Sequence, residues 1–247
     1  MKRYRGNYAS FTDRGRVRIS NEDQAGVATN EKGDVLLVVC DGMGGQNKGD
    51  YASKMALDTL LEAFEARSSI LFPQRFLLRA VKEANKRIFS MAETNPAYEK
   101  MGTTLVAALI IKDKVYVVNV GDSRCYSYSR MLGLTRLTHD QTYVDYLVRA
   151  GKISKEETYT HPERHVLMNA LGTYPSASMD IFRYQYHGES ILLCSDGLYN
   201  NLSETEIRAV LGSDERPEKK ARALIIDANG NGGSDNIAVA YWEVSHD

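Results

Sequence analysis

The chain has 247 residues, enough at about 150 residues per domain for one large domain or two small ones, and 43% hydrophobic with 26% charged residues excludes a disordered or collagen-like chain. Lys and Arg number 31 against 32 Asp and Glu, a formal net charge of -1 with no basic or acidic tail, so nucleic acid is not expected as a partner. Cys40, Cys125 and Cys194 are odd in number and lack C-x-x-C spacing, which excludes a disulfide framework or thiolate zinc site and fits a reducing compartment.

The N-terminal Lys2, Arg3 and Arg5 are followed by Asn7, Ser10, Thr12 and Asp13 in place of an apolar stretch, so no signal peptide is expected. No apolar run reaches the roughly 18 residues of a membrane span. A cytoplasmic location without membrane contact follows as the expectation. One domain over residues 1–247 is expected because no linker, low-complexity tract or repeat interrupts the chain.

In chain order, residues 35–40 are continuously apolar and β-branched, the pattern of a strand buried on both faces, and the run stops at Asp41-Gly42. Ala52, Met55, Ala56, Thr59, Leu60, Ala63 and Phe64 form one apolar stripe, which predicts a helix of about four turns. Pro73 opens a second long helix carrying Leu77, Ala80, Val81, Ala84, Ile88 and Met91. Residues 103–111 read as a strand. A polar turn, Lys112-Asp113-Lys114, leads into residues 115–120, giving a hairpin that closes at Gly121-Asp122. Residues 137–174 are polar, with a short stripe of Val144, Leu147 and Val148, and read as an irregular excursion. Residues 191–194 and 237–242 are two more strands. Between them Ser203-Glu204-Thr205-Glu206 fits a capping box, Leu202 and Ile207 a hydrophobic staple, and Pro217 opens a helix that Gly230 closes. Adjacent helices and hairpin-linked strands predict an α+β fold with largely antiparallel sheets.

The placement of the acids carries the chemistry. Asp41, Asp122 and Asp196 each follow a buried strand at once or one residue later, and Asp235 just precedes one. If the last strand runs antiparallel to neighbours ending in these acids, its start lies at the same sheet edge and four carboxylates converge. Such a cluster stays ionised only when cations neutralise it, because each charge raises its neighbours' pKa. Oxygen donors with no His or Cys select hard Mg2+ or Mn2+ over zinc. Gly42, Gly121, Gly197 and Gly233 lie beside or two residues from these acids, where they let backbone approach an ion. Asp34 and Asp113 lack this context and read as solvated turn residues. In Arg18-Ile19-Ser20-Asn21-Glu22-Asp23 a cation precedes two adjacent acids, and Arg offers a planar donor fork matched to phosphate oxygens. By itself that segment reads as a salt-bridged surface loop.

Taken in order, Arg18-x-x-Asn21-Glu22-Asp23, Asp41-Gly42-Met43-Gly44-Gly45, Gly102-Thr103-Thr104, Gly121-Asp122-Ser123-Arg124, Ser195-Asp196-Gly197-Leu198 and Ser234-Asp235-Asn236 resemble the motif series of the metal-dependent protein phosphatases of the PPM, or PP2C, family. The resemblance spans about residues 10–242 and is closest in spacing to short bacterial members that act opposite Ser/Thr kinases. It implies a four-layer α-β-β-α sandwich of two packed antiparallel sheets flanked by helix pairs. It further implies hydrolysis of phosphoserine and phosphothreonine in proteins by a water bridging two Mn2+ or Mg2+ ions, with a third ion in some members. In that scheme Asp41 bridges the pair, the Gly42 carbonyl adds a ligand, and Asp196 and Asp235 complete the second ion. Glu22 reaches the pair through water, Asp23 supports that shell by hydrogen bonding, and Asp122 helps hold the third ion. Arg18 grips the substrate phosphate, and about residues 139–172 form a flap beside the site.

The resemblance has departures. Met43 stands where many animal members carry a histidine general acid, and Gln141 stands where His is expected in many bacterial ones. His161 and His165 are flap histidines, and Ser195, with no G-x-S-x-G elbow around it, is structural rather than nucleophilic. The three cysteines read as small buried residues, with a redox-sensitive phosphatase as the sharper alternative. Expected partners are phosphoproteins and a Ser/Thr kinase, with the chain a monomer. Three rival functions fit part of the pattern. A phosphatase dedicated to one regulator normally carries a sensor domain, a scaffold without hydrolysis has no need of the acids, and a Ca2+-binding protein gives Arg18 no role.

Overall fold

The computed structural model describes residues 3–44 and 48–245; Met1, Lys2 and the motif residue Gly45 lie outside them. Strands β1 (Gly6–Asp13), β2 (Asp23–Thr29) and β3 (Val35–Met43) lead into helices α1 (Lys48–Glu65) and α2 (Pro73–Thr94). Then come β4 (Gly102–Thr103), β5 (Leu105–Ile111), β6 (Lys114–Val120), β7 (Arg124–Ser129), β8 (Gly133–Arg136) and the short α3 (Tyr143–Arg149). After β9 (Asp180–Gln185) and β10 (Ser190–Cys194) follow α4 (Asp196–Tyr199), α5 (Glu204–Leu211), α6 (Pro217–Gly230) and β11 (Ile237–Val244).

The strands form two sheets in which every pairing is antiparallel, one ordered β1-β11-β10-β7-β8 and the other β2-β3-β5-β6-β9 with β4 on β3. The apolar run of β3 explains why they stack. Leu36, Val38 and Cys40 point to one face and pack with Ala52, Ala56, Leu60 and Phe64 of α1 and Leu77, Val81 and Ile88 of α2. Val35, Leu37 and Val39 point to the other face and meet Ile191, Leu193, Ala238, Ala240 and Trp242 of the second sheet. Each Leu of this run is fully buried, contributing about 2 kcal/mol. A third cluster joins Leu192, Cys194, Val239 and Tyr241 to Leu198, Ile207, Leu211 and Leu224 of α4, α5 and α6. The result is the expected layering, helices, sheet, sheet, helices. The α5 capping box forms as predicted, Ser203 Oγ accepting from the Glu206 N–H (3.3 Å) and Glu206 Oε2 from the Ser203 N–H (2.8 Å). No helix among the described residues is long and apolar enough to cross a membrane.

Five strands, β1, β2, β7, β8 and β9, were not predicted. Four of them, β1, β2, β8 and β9, are the sheet edges, half-exposed segments whose polar residues dilute the alternation. The excursion contains α3, with Val144 and Leu147 buried and Thr142 as N-cap, and a 3-10 turn at Glu156–Thr160. Asp34 corrects the sequence reading. It is buried in the β2–β3 turn, its carboxylate accepting from Asn30 Nδ2 (3.0 Å) and its N–H donating to Asn30 Oδ1 (3.0 Å). Asp113 is half-buried rather than solvated.

Candidate active site

The four acids converge, but from two sheets rather than along one edge. β3 and β6 are both antiparallel to β5, so they run parallel to each other and bring Asp41 and Asp122 to the same end of their sheet. In the other sheet β10 ends just before Asp196, and its antiparallel neighbour β11 begins just after Asp235. Stacking lays the two ends side by side. Arg18, Glu22, Asp41, Gly42, Asp122, Asp196 and Asp235 all line one cavity of about 1360 Å³; Asp23 sits behind its wall, 1% exposed.

The motif residues between the acids act as ties. The Asp41 N–H donates to Thr104 Oγ1 (3.1 Å), while the Asp41 carbonyl accepts from the Thr104 N–H (2.8 Å) and Thr103 Oγ1 (3.0 Å). Thr104 Oγ1 lies 2.7 Å from Ser123 Oγ, which couples the Asp41 and Asp122 motifs. The Glu22 carbonyl accepts from the Gly42 N–H (3.1 Å) and Ser53 Oγ (2.6 Å), and its N–H donates to Asn236 Oδ1 (2.9 Å). Asn236 also donates through Nδ2 to the Arg14 and Ser20 carbonyls (2.8 Å each), fastening the Arg18 segment to β11. Arg18 forms an ion pair with Asp235 (2.7 Å). Asn200 Nδ2 donates to Asp196 Oδ2 (3.1 Å). Ser195 is structural as expected, its buried Oγ accepting from the Ala238 N–H (2.8 Å). Tyr199 donates to the Asp122 carbonyl (3.1 Å), and Arg124, its guanidinium 3.4 Å from the Tyr199 ring centroid, is held by Asp140 (2.6 Å).

The base of the segment expected as a flap, residues 139–172, is equally tied. Gln141 Oε1 accepts from the Gly121 N–H (2.9 Å) and Asn169 Nδ2 (2.6 Å), and Gln141 Nε2 donates to Asp180 (2.9 Å). From that segment Arg164, His165 and Leu167 reach the cavity wall, whereas His161 packs near Tyr143. Arg164 and Asn200 stand outside every motif, and isolated polar residues carry no periodic signal. Thr104, Ser123 and Asn236 lie within motifs, but local spacing does not show which distant residues they tie together.

The electrostatics fit a cation site. Asp23 and Asp41 are direct cross-strand partners in the β2–β3 register, like charges that oppose pairing. Burial, then the Asp23 and Asp196 charges, hold the Asp41 carboxyl well above the usual range; burial, then Asp196 and Asp140, do so at Asp122. Burial followed by Asp235 lifts Asp196 to about 6, and burial lifts Asp23 to about 8 despite a hydrogen bond with Ser195. Among the described residues Asp23 Oδ2 is buried without a hydrogen-bond partner. Among the described residues no three acidic, His or Cys side chains close around a single point, so the acids form a lined cleft rather than a one-ion cage. A wall of oxygen donors carrying surplus negative charge is chemistry for hard divalent cations.

Residues 14–218 match protein phosphatase 2C, and the chain belongs to that family. It is 40% identical over 241 residues to the serine/threonine phosphatase stp of Listeria monocytogenes, covering 96% of this chain and 95% of that one. It is 36% identical over 239 residues to the serine/threonine protein phosphatase PstP of Mycobacterium tuberculosis, covering 96% of this chain and 45% of the other. Among solved structures it is similar to a serine/threonine phosphatase from Staphylococcus aureus (TM-score 0.91, 34% identity, 99% and 98% of the two chains). It is also similar to the catalytic domain of PstP in complex with two manganese ions (TM-score 0.86, 33% identity, 97% and 98%).

Proposed function

We propose that this chain is a metal-dependent protein serine/threonine phosphatase whose ions, Mn2+ or Mg2+, are held by Asp41, Asp196 and Asp235. The Gly42 carbonyl and Glu22 complete the set, Asp23 supports it from behind, and Asp122 holds a third ion. When bound, the ions supply Lewis acidity at the phosphoryl group and lower the pKa of water toward neutrality. The observation that carries this reading is that acids from five separate motifs line a single cavity with Arg18 at its edge.

The protein's own residues do the rest. Arg18, its side chain 55% exposed, donates to Asp235 alone among the described residues, leaving its other N–H groups for phosphate oxygens. Arg164 adds a second cation on the flap side. Met43 lines the same cavity and has no proton to give a leaving alkoxide, while His165 is the one histidine on the cavity wall among the described residues. Arg124 and Tyr199 brace the Asp122 backbone through the contacts given above. The reading extends to one catalytic domain over residues 1–247, working as a cytoplasmic monomer on phosphoproteins made by a Ser/Thr kinase. Support for the single domain and the phosphoprotein substrates is the Listeria serine/threonine phosphatase, matched over 95% of its length.

Phosphate release from a phosphothreonine peptide tests the reading. After EDTA treatment activity is expected to vanish and to return with Mn2+ or Mg2+ but not Ca2+. A folded protein that binds the peptide yet releases no phosphate with any metal would make it a scaffold.

A further inference from the structure

A second cavity, of about 810 Å³, lies between the C-terminal half of α1 and the N-terminal half of α2, away from the catalytic cleft. Its floor is apolar, with Ile70, Phe76 and Ala80 buried; at its lip Leu71 and Phe72 are 82% and 64% exposed. Arg67, Arg75, Arg79 and Arg87 stand around it, against the acids Glu62 and Glu83. Both acids are already engaged by Arg87, at 3.5 and 3.0 Å. Arg67, Arg75 and Arg79 have no carboxylate partner among the described residues; two are braced on rings, Arg67 over Phe76 and Arg75 over Phe72, each 5.4 Å from the centroid. In a chain of net charge -1, this is a local concentration of unneutralised, pre-oriented cations beside an apolar recess.

We propose that this groove docks an acidic segment bearing an apolar side chain, belonging to the phosphoprotein substrate and separate from its phosphorylated residue. The inference rests on the phosphatase reading for the word substrate only. Charge selects the occupant: guanidinium groups held by ring contacts lose little freedom on meeting carboxylates, and the recess takes the apolar anchor. The concave shape suits a peptide segment, whereas an anionic lipid surface matches a flat or convex patch. Helix geometry sets the reach. Gly49 of α1 lies against Gly42 at the cleft, and Thr59 begins the groove, so at 1.5 Å per residue the groove starts about 15 Å from the site and extends to about 25 Å. An extended chain at about 3.3 Å per residue spans that with about five to eight residues.

The test uses the full chain and three probes: a short phosphothreonine peptide, the same peptide with an Asp/Glu-rich, leucine-containing tail about eight residues away, and a version with the tail acids replaced by Lys. The acidic tail is expected to lower KM by about tenfold, through effective concentration, and to leave kcat unchanged. The Lys tail confers no gain. In the Arg75→Glu, Arg79→Glu double variant the gain disappears while the short peptide is turned over as before. Equal KM for all three peptides, or a gain that survives in the double variant, overturns the proposal. So does a tail without effect when phosphatidylglycerol vesicles bind the wild type but not the variant, or when only the wild type dimerises. If no peptide is hydrolysed with any metal, the phosphatase reading fails instead. Fluorescence anisotropy of the unphosphorylated acidic tail, wild type against variant, then still decides the docking.

Discussion

Asp23 and Asp41 face each other across a β-ladder, in a position where an ordinary sheet carries opposite charges or none. A bound cation, or in the metal-free protein a retained proton, relieves that repulsion, which is why residues of this kind mark function more clearly than any core residue. Substituting Asp196→Asn is expected to cut kcat by at least about 10²-fold, the upper loss seen even for outer-shell changes, without lowering the melting temperature of the metal-free protein, because one repelling charge is gone. Arg18→Ala should instead raise KM at least as clearly as it lowers kcat. Near-normal turnover of the Asp196 variant would falsify the metal assignment. The cysteines sort differently. Cys40, Cys125 and Cys194 fall in three separate core clusters, all fully buried, and burial pushes every thiol up, Cys194 to about 12. Full burial disfavours the thiolate at all three, the setting of packing residues rather than of reactive cysteines. The acids were legible because an acid with a glycine close by at the end or start of an apolar run is a pattern. The Thr104–Ser123 bond and the Asn236 clamp were not, because each joins residues far apart in sequence.

At the scale of elements, the glycines beside the acids turn out to serve chain packing. A Cβ on Gly42 would overlap the Gly49 carbonyl, and one on Gly197 the Asn236 carbonyl, so the space foreseen for an ion is filled by backbone. Gly42 is what lets α1 begin directly against the end of β3. Gly42→Ala is therefore expected to push the two apart, costing about 1–3 kcal/mol of stability and weakening Mn2+ binding. Gly230→Ala is the matched control: no described residue lies within 4 Å of its added Cβ at the end of α6, and a gain of roughly 0.5 kcal/mol is expected there. Denaturant midpoints and Mn2+ titrations of the two variants check both signs. Long elements with a continuous period, α1, α2, β3 and β11, were readable from sequence. The edge strands were not, since β1 buries one residue and β9 none, so neither carries the alternation that a strand packed on one face would show.

For the whole molecule, the stacking of two sheets forces four or more carboxylates into one cleft, and that has a measurable consequence for stability. Asp23 and Asp196 rise to about 8 and about 6, and Asp41 and Asp122 rise as well, all from an unfolded value near 4. Between about pH 4 and 8 the metal-free folded state binds more protons than the unfolded chain, so its stability falls as pH rises. The melting temperature of EDTA-treated protein is thus expected to be lower at pH 8 than at pH 5.5, and saturating Mn2+ should remove most of that slope at the alkaline end. A metal-free protein whose melting temperature rises over this range would contradict the clustered-acid arrangement. The sequence by itself determined the class of fold, the two-faced burial of β3, the helix termini and the acids and Arg18 as chemical groups, because each is written in local pattern and spacing. Only the tertiary structure decided that Asp41 and Asp122 belong to one sheet and Asp196 and Asp235 to the other, that Asp23 lies behind the wall, and that His165 rather than His161 reaches the cavity. Register and sheet stacking are set by contacts between residues distant in the chain, and no local period records which partners those will be.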